Sequence, residues 1–129
     1  MGLGLDALED ITAEKGIRLV RHIGGAKGFW LPQYNAISLR RDLNELHARC
    51  TLAHELGHAT RGHTLCDGNT QQETQADRYA ARLLISDSEY ATAETLYGPH
   101  PGAIARELEV TVHLVDVWRA MKLSKVRVR

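Results

Sequence analysis

The stretch TLAHELGHATRGH, residues 51–63, carries three histidines, an arginine and a glutamate among small and apolar residues. His54 and His58 are four positions apart, which on a helix stacks two side chains on one face, one turn from each other. Leu43, Leu46, Leu52, Ala53 and Leu56 are spaced so that a helix buries most of them. Asp42 precedes this run and Glu45 follows three residues later, the pattern of a capped N-terminus. Gly57 inside the run costs roughly 1 kcal/mol against Ala, and Gly62 is a natural stop. The spacing predicts a helix from about residue 42 to about residue 61.

On that helix His54-Glu55-Leu56-Gly57-His58 is the H-E-x-x-H signature of zincins. Two neutral imidazoles on one face can close on a single zinc ion. Glu55 is rotated by about 100° from His54, so it can serve a water at the ion without itself being a ligand. Zinc lowers the pKa of such a water to about 7, and Glu55 is placed to take its proton and pass it to a leaving amine. A pair of solvated or otherwise satisfied histidines is the plain alternative.

A catalytic zinc takes a third protein ligand and keeps one position open. The metzincin extension would need Gly and His where this chain has Arg61 and Thr64, so it does not apply. The better source is QQETQADRYAARLLIS, residues 71–86, where Ala76, Tyr79, Ala80, Leu83 and Leu84 form a helical apolar stripe. Glu73 and Asp77 run along the edge of that stripe, where an unpaired buried charge is expensive. A metal explains both. Glu73 would be the third ligand, and Asp77, one turn on, would accept a hydrogen bond from a ligand histidine and fix its tautomer. Placement of both acids on a wet helix end, where first-turn carboxylates are favourable, stays open.

RCTLAHELGH followed by QETQADRYAARLLI resembles the ImmA/IrrE metallopeptidase family, over roughly residues 17 to 121. The resemblance implies a gluzincin-like site in which His54, His58 and Glu73 match the metal ligands and Glu55 the general base. Two departures stand out: Ser86 where the family often has Pro, and Asp77 where Asn is common. The resemblance further implies a protein of phages or mobile elements that cleaves or inactivates a transcriptional repressor.

Composition is consistent with this reading. At 129 residues the chain is expected to form one domain, residues 1–129, with a core of useful size. Charged residues make up 25% and the formal net charge is zero, so no overall bias draws it to nucleic acid or membrane. No apolar run approaches the roughly 20 residues of a membrane span. MGLGLDALEDITAEKG lacks the basic start and long apolar core of a signal peptide, so a cytoplasmic location is expected. Cys50 and Cys66 are too few for a disulfide framework. Cys50 and His47 lie one and two turns before His54, as extra soft ligands or as a buried thiol and a surface histidine.

The expected fold is therefore α+β: a small zincin-like domain with a three-stranded sheet packed on the H-E-x-x-H helix and on the Glu73-bearing helix, with C-terminal helices. Residues 5–15 read as an amphipathic helix, and GIRLVRHI, GFWLP and AISLR as three strands with Gly24-Gly25 and PQYN as turns. A strand at the sheet edge suits an extended peptide substrate. Residues 103–121 resemble a helix-turn-helix, with Ala105 and Val115 where its helices pack and Glu109 where a turn glycine is usual. Its second helix offers His113, Asp116 and Arg119, a poor surface for phosphate, and two helices closing the fold account for it equally. The tail adds Lys122, Lys125, Arg127 and Arg129.

The sequence thus points to a zinc endopeptidase acting on a protein substrate. A DNA-binding regulator and a non-catalytic zinc-containing anti-repressor are the alternatives. The donor for the substrate oxyanion is left open among His63, Tyr79, His100 and His113. His63 and Asp67 are the replacements should Glu73 not be a ligand.

Overall fold

The computed structural model describes residues 3–64 and 69–128, with side chains through residue 124. Cys66, Asp67, Lys125, Arg127 and Arg129 fall outside the side chains described. The architecture is α+β, a three-stranded sheet with helices packed around it.

Helix α1 (Leu5–Glu14) buries Leu8 and Thr12, whose hydroxyl donates to the Leu8 carbonyl at 2.8 Å. Gly16, at φ 74°, then turns the chain into β1 (Arg18–His22). Strands β2 (Gly28–Leu31) and β3 (Ala36–Arg40) are joined through a 3-10 turn at Pro32–Tyr34. Asn35 closes that turn at φ 47°, a left-handed position that Asn tolerates. β3 pairs antiparallel with β2 and parallel with β1, giving the order β1-β3-β2. The middle strand is buried from Ala36 to Leu39, as a strand flanked and covered must be. β2 is an edge strand.

Helix α2 (Glu45–Thr60) runs through the centre, with Leu52, Ala53 and Leu56 fully buried. It begins later than the spacing suggested, and its cap is Asn44 rather than Asp42. The Asn44 side chain accepts from the His47 N–H at 2.8 Å, while the Asp42 carboxylate accepts from Arg40 Nε at 2.5 Å. Only Asn44, with extended backbone one residue before the helix, presents an oxygen to the free N–H groups of the first turn.

Helix α3 (Thr70–Leu84) is capped by Asn69, packs on α2 and α6, and buries Ala76, Ala80, Ala81 and Leu84. The two backbones come very close. A Cβ added at Gly57 would lie 2.9 Å from Ala76 Cα and 3.0 Å from its carbonyl oxygen. The glycine that weakens α2 locally is what admits α3.

Helix α4 (Asp87–Tyr97) has no counterpart in the elements expected from the sequence. Ser86, read there as a departure from a family proline, is its N-cap. Its hydroxyl accepts from the Glu89 N–H at 3.1 Å and donates to the Glu89 carboxylate at 2.9 Å. Helices α5 (Pro101–Leu108) and α6 (Val112–Val128) follow, with Glu109 between them at φ 56°, where a turn glycine would be at ease. α6 lies against α3 and α5, burying Leu114, Val115 and Trp118, and Trp118 stacks on Tyr90 at 4.1 Å between ring centres. These helices close the fold. Among the described residues no helix is long and apolar enough to cross a membrane.

Candidate metal centre

The α2–α3 approach sets the site. One turn of α2 separates His54 from His58, and the first turn of α3 brings Glu73 opposite both. His54 Nε2 is 3.2 Å from His58 Nε2 and 3.1 Å from Glu73 Oε1, and His58 Nε2 is 2.9 Å from Glu73 Oε2. Donors about 2.0–2.1 Å from one ion at tetrahedral angles would be about 3.3 Å apart, so this spacing suits a single zinc. The three residues form a group that could hold a metal ion.

The hydrogen bonds behind the two rings strengthen the case. His54 Nδ1 lies 2.8 Å from Asp77 Oδ1, a carboxylate oxygen that can only accept, so the His54 proton sits on Nδ1. His63, buried, has Nε2 at 2.8 Å from Gln75 Oε1, and its Nδ1 at 2.8 Å from His58 Nδ1. With the amide oxygen of Gln75 toward it, His63 donates from Nε2 and accepts at Nδ1 from His58. When neutral, both rings then turn a bare Nε2 lone pair toward the Glu73 carboxylate. Three acceptors about 3 Å apart repel one another unless a cation or a proton lies between them. The donor set, two imidazoles and one carboxylate, is one that zinc takes in catalytic sites.

Charge effects among the protein groups follow the same geometry. Burial pushes Glu55 up to about 7, with the Glu73 charge adding to it and His54 and a Trp30 backbone hydrogen bond opposing. Burial pulls His54 down, but its bond to Asp77 and the charges of Glu55, Asp77 and Glu73 outweigh that and raise it. Burial, with the nearby His54 charge, lowers His58. Burial opposes ionisation of Asp77, yet hydrogen bonds from His54 and His113 hold its carboxyl below the ordinary value.

A cleft of about 300 Å³ runs past His54 and Glu55. Thr51, His54 and Glu55 of α2 line one side, Lys27 and Gly28 an end of β2, and Thr111, His113 and Leu114 the α6 side. β2 crosses close over Glu55, since a Cβ at Gly28 would lie 2.5 Å from Thr51 Cγ2 and 3.2 Å from Glu55 Cγ. Trp30 Nε1 donates to the His63 carbonyl at 2.9 Å, tying β2 to the end of α2. A larger cavity of about 490 Å³ lies between α1, α2, α4 and α5 and contains none of the three donors.

The structure therefore brings together His54, Glu55, His58, Glu73 and Asp77. Cys50 is a buried thiol, raised in pKa by that burial, and His47 faces Lys27 Nζ at 3.4 Å; neither belongs to the donor group. His63 stands behind His58. The sequence reading missed Gln75, Lys27 and Gly28, and it left His113 as one of four candidate oxyanion donors. No local pattern marks them, because each matters through a partner far along the chain.

The family model Peptidase_M78, described as the IrrE N-terminal-like domain, matches residues 13–117. No curated protein matches the chain at a significant level.

Proposed function

We propose a function from one premise: this chain belongs to the ImmA/IrrE family of peptidases, whose model spans most of its length. On our reading it is a zinc-dependent endopeptidase with His54, His58 and Glu73 as ligands, Glu55 as general base, and Asp77 holding His54. The observation that carries this reading is the convergence of three acceptor atoms with the ring protons drawn away behind them.

When bound there, zinc would supply a Lewis acid and acidify a water near neutral pH. Glu55 takes a proton from the attacking water as the water oxygen bonds to the carbonyl carbon. It then delivers that proton to the amine nitrogen as the C–N bond breaks, so the water is divided between a new carboxyl group and a new amine. Asp77 and His63 fix the ligand tautomers. The free edge of β2, crossing near Glu55, offers backbone groups to an extended substrate.

The substrate we carry over from the family resemblance: a transcriptional repressor, in a cytoplasmic system of phage or mobile-element type. The DNA-binding alternative is less well supported, since α6 is buried along one side and its first turn lines the cleft. The test combines two variants. Glu73→Gln should lose zinc by elemental analysis, and Glu55→Gln should keep zinc and fail to cut the neighbouring repressor, read by mass spectrometry. Unchanged zinc in Glu73→Gln removes Glu73 from the ligand set. Repressor inactivation by Glu55→Gln would point instead to a non-catalytic anti-repressor.

A further inference from the structure

We propose that His113 is a catalytic residue of this site, donating a ring hydrogen bond to the substrate oxygen that gains charge when the scissile carbonyl is attacked. The inference rests on the peptidase reading above. An oxyanion needs a donor besides a metal, and preorganised donors are among the largest contributors to such catalysis.

The geometry separates the candidate donors. His63 is buried with both ring nitrogens engaged, by His58 and by Gln75. Tyr79 packs beside Gly57 and against the core, and His100 precedes α5; neither lines the cleft. His113 does line it, together with Thr111 and Leu114.

Its placement is also fixed from behind. His113 Nε2 is 2.8 Å from Asp77 Oδ2, while the other oxygen of the same carboxylate holds the ligand ring of His54 at 2.8 Å. One acid therefore sets a ligand imidazole and a cleft-wall imidazole at a fixed separation. The ring of His113 remains 66% exposed, so packing does not explain its position. Its backbone is anchored nonetheless, because Leu114 and Val115 beside it are buried and Thr111 Oγ1 accepts from the Leu114 N–H at 3.2 Å. With Nε2 held by Asp77, Nδ1 is the ring nitrogen that meets substrate, and it donates when the ring carries both protons. No proton is transferred in this role.

The test uses the zinc-loaded full chain and two zinc-binding probes, measured by calorimetry. An N-phosphonyl dipeptide presents tetrahedral anionic oxygens, and a mercaptoacyl dipeptide presents sulfur without them. His113→Ala should weaken the phosphonyl probe by about 10²-fold, the scale of a lost oxyanion donor, while leaving the thiol probe and zinc content nearly unchanged. His113→Gln, which retains a donor, should recover part of the loss. Unchanged phosphonyl affinity in His113→Ala overturns the proposal. Equal losses for both probes also overturn it, by reducing His113 to a support for the cleft through Asp77. A zinc-loaded wild type that binds neither probe removes the peptidase reading itself, and the role of His113 with it.

Discussion

The two sides of the cleft are built differently. On the α2–α3 side, His54, His58 and His63 each have a hydrogen-bond partner behind the ring, and His58 and His63 are buried. On the opposite side, Lys27 and His113 are exposed, and His113 owes its position to one acid. The first region is locked before any ligand arrives. The second is open to what a substrate brings. Ion binding needs donors held in a preset geometry, whereas recognition of one protein among many draws on contacts spread over a surface.

The largest expected effect tests whether the locked side contains the chemistry. Glu55→Gln should lower kcat by at least about 10²–10⁴-fold with zinc retained. A wild-type rate in that variant would end the general-base assignment and leave the metal group standing.

The same substitution should stabilise the chelated, metal-free protein. The Glu55 pKa is raised from 4.5 to about 7 by burial, so the folded state holds its proton more tightly than the unfolded state. That group therefore costs stability progressively as pH rises from 4.5 through 7, and the full penalty remains above it. Thermal unfolding should show no gain from Glu55→Gln near pH 4 and a gain on the order of 2–3 kcal/mol at pH 8. A gap that closes rather than opens with pH would contradict the burial argument.

Weakening the lock from behind should matter somewhat less. Gln75→Leu removes the acceptor that sets the His63 tautomer, and through it that of His58. Zinc affinity should fall about 10–100-fold, measured by competition with a chelating dye. Gly57→Ala forces a Cβ onto the Ala76 backbone and should cost about 1–2 kcal/mol, the overpacking strain exceeding the gain in helix propensity. Zinc affinity should drop with it, since Glu73 rides on the displaced helix. An Ala variant that is more stable than wild type would show that the helices yield without strain.

The smallest effect belongs to the open side. Lys27→Ala should change stability by less than about 0.5 kcal/mol, because among the described residues its side chain hydrogen-bonds to His47 at the surface. If it unfolds the protein, the contrast between the two sides is wrong.

What was legible in the sequence was what lies within a few residues. H-E-x-x-H on a helix places His54, Glu55 and His58 by the 3.6-residue period alone, and the strands of residues 18–40 follow from short runs bounded by turn residues. Ser86 and Glu89 already spelled a capping box, yet the short, polar helix α4 carries too weak an apolar stripe to be seen. The start of α2 was misplaced by the same kind of local ambiguity, two possible caps two residues apart.

Tertiary structure alone decided the rest. The Asp77 to His113 contact spans 36 positions, and Asp77 to His54 spans 23. That Gly57 is an approach point rather than a flaw is visible only when Ala76 lies against it. The sequence determined which atoms could bind a metal, because helix geometry is local. Which protons those atoms carry depends on partners brought together by packing between helices, and no spacing along the chain encodes that.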